Sequence, residues 1–112
     1  MIETLELGEN LIDNHIIPDC IKRYTTDKLP IHLAVHEINA NDNFDVYCDV
    51  HEHEGEDELN IILGDVEFEL LVGSDYQRVN SRTAVWIPAG VPHSANVTRG
   101  TGYFICIRFK KI

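Results

Sequence analysis

The sequence predicts an all-β protein, a sandwich or barrel of short strands. Three observations carry this. From Ile31 onward, runs of four to eight apolar and β-branched residues follow one another closely. Clusters of Gly, Asn and Asp punctuate them, residues that turns favour. No segment sustains a helical apolar period over three turns.

Residues 1–30 are the least patterned. Asn10, Asp13, Pro18 and residues 25–30 interrupt short apolar pieces such as Leu11-Ile12 and His15-Ile16-Ile17. Short edge strands and loops are expected there, forming an extension to a barrel over residues 31–112. Residues 31–38 read as a strand, and residues 39–43 as a polar turn. Residues 44–53 alternate, with Val46, Cys48 and Val50 on one face and Tyr47, Asp49, His51 and His53 on the other. Residues 59–63 form a short apolar run. Gly64-Asp65 then reads as a two-residue hairpin turn, because glycine takes the positive φ that such turns need. Residues 66–72 resume as a strand, and Gly73-Ser74-Asp75 turns it again. Further strands are expected over residues 76–79, 84–87, 95–98 and 103–109, with Gly100-Thr101-Gly102 separating the last two.

A chain of 112 residues is expected to form one domain with a modest core. Its formal net charge is −10, a surface that repels phosphate backbones and anionic lipid, so neither nucleic acid nor membrane is an expected partner. Cys20, Cys48 and Cys106 give an odd count at irregular spacing. That pattern offers no disulfide framework and no Cys-x-x-Cys zinc site, and it suits a reducing compartment. The first residues, Met1-Ile2-Glu3-Thr4-Leu5-Glu6, lack the basic and apolar regions of a signal peptide, and no run approaches the ~18 apolar residues of a membrane helix. A cytoplasmic location is expected. Asn96-Val97-Thr98 matches a glycosylation sequon, and without a secretory signal it reads as chance.

The chemistry concentrates in two stretches. Residues 51–58 read His-Glu-His-Glu-Gly-Glu-Asp-Glu, and residues 88–93 read Pro-Ala-Gly-Val-Pro-His. Side chains two apart in a strand share a face, with Cα atoms roughly 6.5–7 Å apart. His51 and His53 therefore project together, close enough for two imidazoles to converge on one ion. A carboxylate at the start of the next antiparallel strand lies beside them; Glu58 occupies that place, and Asp57 is the alternative. Pro88 and Pro92 fix φ while Gly90 admits conformations closed to other residues, so that loop can hold His93 in one position. His15, His32 and His36 have no such context and read as surface or core histidines, although His32, Ala34 and His36 share a strand face and His36 could line a pocket mouth.

These residues resemble the two signature motifs of the cupin superfamily. His51-Glu52-His53, four residues, Glu58 and then Gly64 is similar to the first, and Pro88-Ala89-Gly90-Val91-Pro92-His93 to the second. The two lie about 35 residues apart, and the resemblance runs from Phe44 to Phe109. Five residues separate Glu58 from Gly64 where six are usual; keeping six would make Asp57 the ligand. Glu58-Leu59-Asn60-Ile61-Ile62-Leu63 fits the family block and favours Glu58. Arg82 stands where glycine is usual, and Asn96 follows His93 by three positions, not four. The resemblance implies a cupin-type double-stranded β-helix, a jelly-roll β-barrel. It also implies one divalent metal ion held by His51, His53, Glu58 and His93.

Three imidazoles and a carboxylate suit Fe(II), Mn(II), Ni(II) or Co(II), with Zn(II) or Cu(II) as substitutes. Strand parity adds Asn60, Tyr47 and Asp49 as pocket residues, with Ile62, Trp86, Tyr103 and Ile105 as an apolar wall. The resemblance implies a small-molecule metalloenzyme of dioxygenase, isomerase or lyase type. The alternative is a non-catalytic metal- and metabolite-binding module, or a metal that only fastens the barrel. A homodimer is a further expectation of the resemblance.

Overall fold

The computed structural model describes residues 2–10, 17–40 and 47–111. All regular structure among them is β: β1 (Gly8–Glu9), β2 (Ile21–Thr25), β3 (His32–Ala40), β4 (Glu56–Val72), β5 (Asp75–Asn80), β6 (Thr83–Ile87) and β7 (His93–Lys110). No described helix is long and apolar enough to cross a membrane. Every strand pairing is antiparallel, in the order β1-β2-β3-β7-β4-β5, with β6 also on β4. The poorly patterned N-terminal region thus supplies an edge hairpin, β1 and β2. Leu11, Ile12, His15, Ile16 and the expected start of a strand at Phe44 lie outside the described residues.

The organising unit is the ribbon of β4 and β7, paired from Glu56↔Lys110 to Val72↔His93. On its other edge β4 carries two partners in succession, β6 along Glu58–Ile62 and β5 along Glu67–Val72. Val72 lies 14 residues beyond Glu58, roughly 46 Å of extended strand. Yet His93, the register partner of Val72, has its Nε2 only 3.4 Å from Glu58 Oε2. Both distances hold only if the ribbon curls back on itself, which closes the barrel.

Its corner is built from glycine, and this corrects two expectations. Gly64-Asp65 is no hairpin, and Gly100-Thr101-Gly102 does not separate two strands: β4 and β7 run unbroken through both. Gly64 (φ +92°) pairs with Gly102, and a Cβ on it would lie 2.6 Å from the Gly102 Cα. Gly100 (φ +98°) would drive a Cβ onto the Asp65 carbonyl. The positive φ serves a bend in which two paired strands turn together with no room for side chains. Gly100→Ala should therefore lose about 1–3 kcal/mol from φ alone and more from backbone overlap. Gly55 (φ +76°) has nothing within 4 Å of the position a Cβ would take, so Gly55→Ala should show only the smaller, conformational loss. Urea unfolding of the two variants measures the difference, and equal midpoints would contradict the close-approach argument.

A bulge sets which residues face inward. Glu67 pairs with Arg99 but Phe68 with Val97, leaving Thr98 as the extra residue. The Thr98 hydroxyl donates to the Glu67 carbonyl (3.1 Å). Parity in β7 switches there: His93, Ala95 and Val97 face the interior before it, and Phe104, Cys106 and Arg108 after it. In β4 the even-numbered residues Glu58, Asn60, Ile62, Val66, Phe68 and Leu70 are buried throughout.

The apolar core fills the end of the barrel around Ile38, Ile62, Val66, Phe68, Leu70 and Phe104. Phe68 and Phe104 stack there with ring centroids 4.8 Å apart. Toward the start of β4 the interior becomes polar and opens into a cavity.

Candidate metal centre

Residues 47–53 hold two of the three clustered histidines. Among the described residues the expected strand is a single bridge, in which His51 and His93 exchange both backbone hydrogen bonds (2.9 and 2.8 Å). A side chain replaces the missing ladder. Asn96 Oδ1 accepts from the backbone N–H groups of Tyr47 and Cys48 (3.0 and 2.9 Å), and its Nδ2 donates to the Cys48 carbonyl (3.1 Å). The sequon asparagine is therefore a clamp with its amide turned inward. The proline loop grips the same segment further on: Gly90 N–H donates to the His53 carbonyl (3.0 Å), with Gly90 at φ +77°.

The two acids at the start of β4 take different places, although both are buried. Asp57 Oδ1 accepts from the Ala89 N–H (2.9 Å) and anchors the proline loop. Glu58 turns to the opposite face of the strand, among the histidines. Its Oε1 lies 3.6 Å from His53 Nε2 and its Oε2 3.4 Å from His93 Nε2. His51, His53 and His93 each place a ring nitrogen within 4.8 Å of the others, with ring centroids 4.4–5.4 Å apart.

Ring orientation follows from the partner of each Nδ1. A carbonyl can only accept, so His93 Nδ1–H donates to Val91 O (2.9 Å) and His51 Nδ1–H to Asp49 O (2.8 Å). In the neutral rings both Nε2 lone pairs are then available. His93 is 3% exposed, and its Nε2 is buried with no hydrogen-bond partner. His53 differs. Arg108 Nη1 lies 2.9 Å from its Nδ1, and a guanidinium can only donate. The neutral His53 proton therefore sits on Nε2, facing Glu58.

Local electrostatics diverge between neighbours. The Cys48 sulfur hydrogen bond raises the His51 pKa, burial opposes it, and the Asp49 carbonyl adds to the rise, giving about 9. Burial, then the Arg108 charge, push His53 down. Burial alone would push Glu58 up, but the neighbouring His93 imidazole and then that of His53 outweigh it and hold the carboxyl below its usual range. Burial, then the Glu58 charge, push the Cys106 thiol up. Burial does the same to the Tyr47 phenol.

The cluster lines a cavity of about 470 Å³, within the small-molecule range. Tyr47, Asp49 and His36 reach it, as parity suggested, and so does His32, which had read as a surface or core residue. Five expected lining residues do not. Asn60 and Ile62 are buried beneath it, and the Asn60 amide is unpaired. Trp86, 51% exposed, packs on Phe109 outside the barrel, and Tyr103 is also exposed. Ile105 shares the face of Tyr103, away from the cavity, because the Thr98 bulge puts even-numbered β7 residues inside. Cys48, Cys106, Arg108 and Arg23 line the cavity without having been expected. The i, i+2 series Phe104, Cys106, Arg108 was the available signal for two of them; Arg23, in the mixed stretch Ile21-Lys22-Arg23-Tyr24-Thr25, had none.

No protein-family model matches the sequence, and no curated protein matches it. Solved structures do. KdgF from Halomonas sp. superposes with a TM-score of 0.67 at 17% identity, over 88% of this chain and 86% of that one. An RmlC-like cupin from Shewanella frigidimarina gives 0.64 at 16%, over 87% and 82%. The chain has the cupin fold. Fe(II) HppE is also similar, with a TM-score of 0.67 at 13% identity over 97% of this chain; this chain spans 60% of that longer protein.

The donor set fits a metal ion. Two rings offer Nε2 lone pairs, a buried carboxylate lies beside them, and the buried His93 Nε2 makes no hydrogen bond, with Glu58 Oε2 3.4 Å away. His53 lies beside them, with Arg108 Nη1 2.9 Å from its Nδ1.

Proposed function

We propose that this cupin holds one divalent metal ion through His51, His53, Glu58 and His93 and acts on a small molecule in the adjoining cavity. The observation that carries the reading is the buried, unpartnered His93 Nε2 facing a buried carboxylate. An unpaired polar atom at such a position costs about 1–3 kcal/mol, which a metal bond would offset. The softness of the donors suits Fe(II), Mn(II), Ni(II) or Co(II), with Zn(II) also able to bind. The iron of Fe(II) HppE, in a related fold, supports the same reading.

When bound, the ion would supply Lewis-acid or redox chemistry at open coordination positions, as a dioxygenase, isomerase or lyase would use. The chain's own residues orient and enclose. Val91 and Asp49 fix the tautomers of His93 and His51 through their carbonyls. Asp57 and Asn96 fasten the two segments that carry the histidines. Phe104, Ala95 and Ile17 form apolar wall around the polar groups. Cys106 and Tyr47, both with raised pKa values, remain protonated near neutral pH.

A second reading, a metal- and metabolite-binding module without catalysis, draws on the Arg108–His53 contact, which occupies a ring nitrogen in place of a structural carbonyl partner. Protein purified from its native host decides between the readings. Bound metal by elemental analysis, with turnover or O₂ consumption on a panel of small polar substrates, is the expected result. Metal without turnover would leave the binding module, and failure to take up any of the five metals would end both.

A further inference from the structure

Among the described residues, three buried side-chain atoms make no hydrogen bond: Nδ2 and Oδ1 of Asn60 and Nε2 of His93. They gather around one carboxylate. His93 Nε2 is 3.4 Å from Glu58 Oε2. Asn60 follows Glu58 by two residues in β4, on the same inward face. The proposed ion accounts for the histidine nitrogen; the amide needs a reason of its own.

Packing does not ask for an amide at position 60. The side chain is buried, opposite Cys106 on β7 and Val85 on β6, with Ala34 of β3 beyond Cys106. The next inward residues of β4, Ile62 and Val66, belong to the apolar core. Leucine is close to asparagine in shape and would leave no polar atom unpaired, whereas a buried amide without hydrogen bonds destabilises a fold. The chain does satisfy an asparagine where the fold uses one: Asn96 bonds to the backbone of Tyr47 and Cys48 through both of its amide atoms. A local rule broken this way, in the interior and beside a functional cluster, points to function.

Glu58 is the neighbour that an amide suits. A carboxylate has lone pairs for about four donors. A metal ion takes only part of them, and ligating carboxylates are themselves held by hydrogen bonds from the protein. An amide N–H donates without bringing a charge near the ion. Burial pushes the Glu58 pKa up; the imidazoles of His93 and His53, and then the Asn60 amide, favour its charged form.

We propose that Asn60 is a positioning residue for Glu58: its Nδ2 donates to the Glu58 carboxylate and fixes which oxygen turns to the ion. This rests on the metal reading above. The amide is unpaired in the metal-free chain and paired in the loaded one, so Asn60 weakens the free fold and strengthens metal binding.

The test is Asn60→Leu in the full chain, read in two ways. Calorimetry with manganese(II) should show at least a tenfold loss of affinity, as loss of a ligand's supporting group brings. Urea unfolding without metal should show a midpoint about 0.5 M or more above the parent's. An asparagine that served the fold alone would lower that midpoint. Ile62→Val, a loss of packing at the next inward position, is the control: its midpoint should fall with manganese affinity unchanged. Asn60→Ala should show the same loss of affinity as Asn60→Leu, and it decides if the leucine variant does not fold. A loss of less than tenfold in either folded variant would overturn the proposal. So would a folded Asn60→Leu with a midpoint below the parent's. Metal binding by the parent with unchanged affinity in the variants overturns this proposal alone; a parent that takes up no divalent metal overturns the metal reading and this proposal with it.

Discussion

His93→Ala should lower the affinity for divalent metal at least about a hundredfold, the upper end of what loss of a neighbouring supporting group costs a metal site. The reason is position. His93 is the most buried of the three histidines, and its Nε2 makes no hydrogen bond, facing Glu58 Oε2 at 3.4 Å. Its Nδ1 is locked on the Val91 carbonyl, so the ring is held ready without metal. The fold should survive the change. The two backbone bonds between residues 51 and 93 need no side chain, and relief of an unpaired buried nitrogen offsets part of the cavity left behind. Stability of the metal-free variant should stay within about 2 kcal/mol of the parent. Thermal unfolding makes the contrast visible: metal at 100 times Kd stabilises the parent by about 2.7 kcal/mol and should leave the variant unmoved. His36→Ala is the control, since His36 lines the same cavity outside the cluster, its Nδ1 3.0 Å from the Phe104 carbonyl. Full metal affinity in His93→Ala would show that the cluster is not a metal site.

The site was more legible in the sequence than the path of the strands that build it. His51, His53 and Glu58 lie close together in the chain, and their types and spacing already suggested one site; His93 stood out because two prolines and a glycine framed it. What local pattern could not reveal was the meaning of the glycines. Gly64-Asp65 and Gly100-Thr101-Gly102 have the composition of turns, and a turn and a bend of two paired strands both need positive φ. Only the partner strand distinguishes them, and the partner of Gly64 is Gly102, far along the chain. Trp86 and Tyr103 were misplaced for a related reason. Inward parity in β7 depends on one extra residue at Thr98, which alternation within a single strand does not announce. The segment before His51 failed differently: its alternation is real, but Asn96 holds its backbone where a ladder would have been. The places that Glu58 and Asp57 take were hidden for the same reason: Asp57 is held by the Ala89 amide, a contact between residues 32 apart in sequence.

Metal affinity should climb steeply with pH, and the climb should be governed by His51. Its pKa lies near 9 in the metal-free protein, chiefly because the Cys48 sulfur, 3.8 Å from Nδ1, joins the Asp49 carbonyl in accepting from the ring. Below that value a metal must displace a proton to bind His51. Each pH unit then changes apparent affinity about tenfold. His53 and Glu58 add little in this range, since both have lowered pKa values and have lost their protons before pH 7. From pH 7 to pH 9 the affinity should rise by up to about a hundredfold and level off above. The same proton gives stability the opposite slope. A raised folded pKa favours the folded chain fully below the unfolded value of 6.5, and that stabilisation is lost as pH rises through about 9. Cys48→Ala separates this cause from a general effect of charge. It removes the first contributor to the raised pKa without touching a proposed ligand, so metal should bind more tightly at pH 7 and the slope should flatten. Titration of metal by calorimetry at several pH values, corrected for buffer protonation, measures both. A parent protein whose affinity does not change between pH 7 and pH 9 would mean that His51 carries no proton to displace, or that it does not meet the metal.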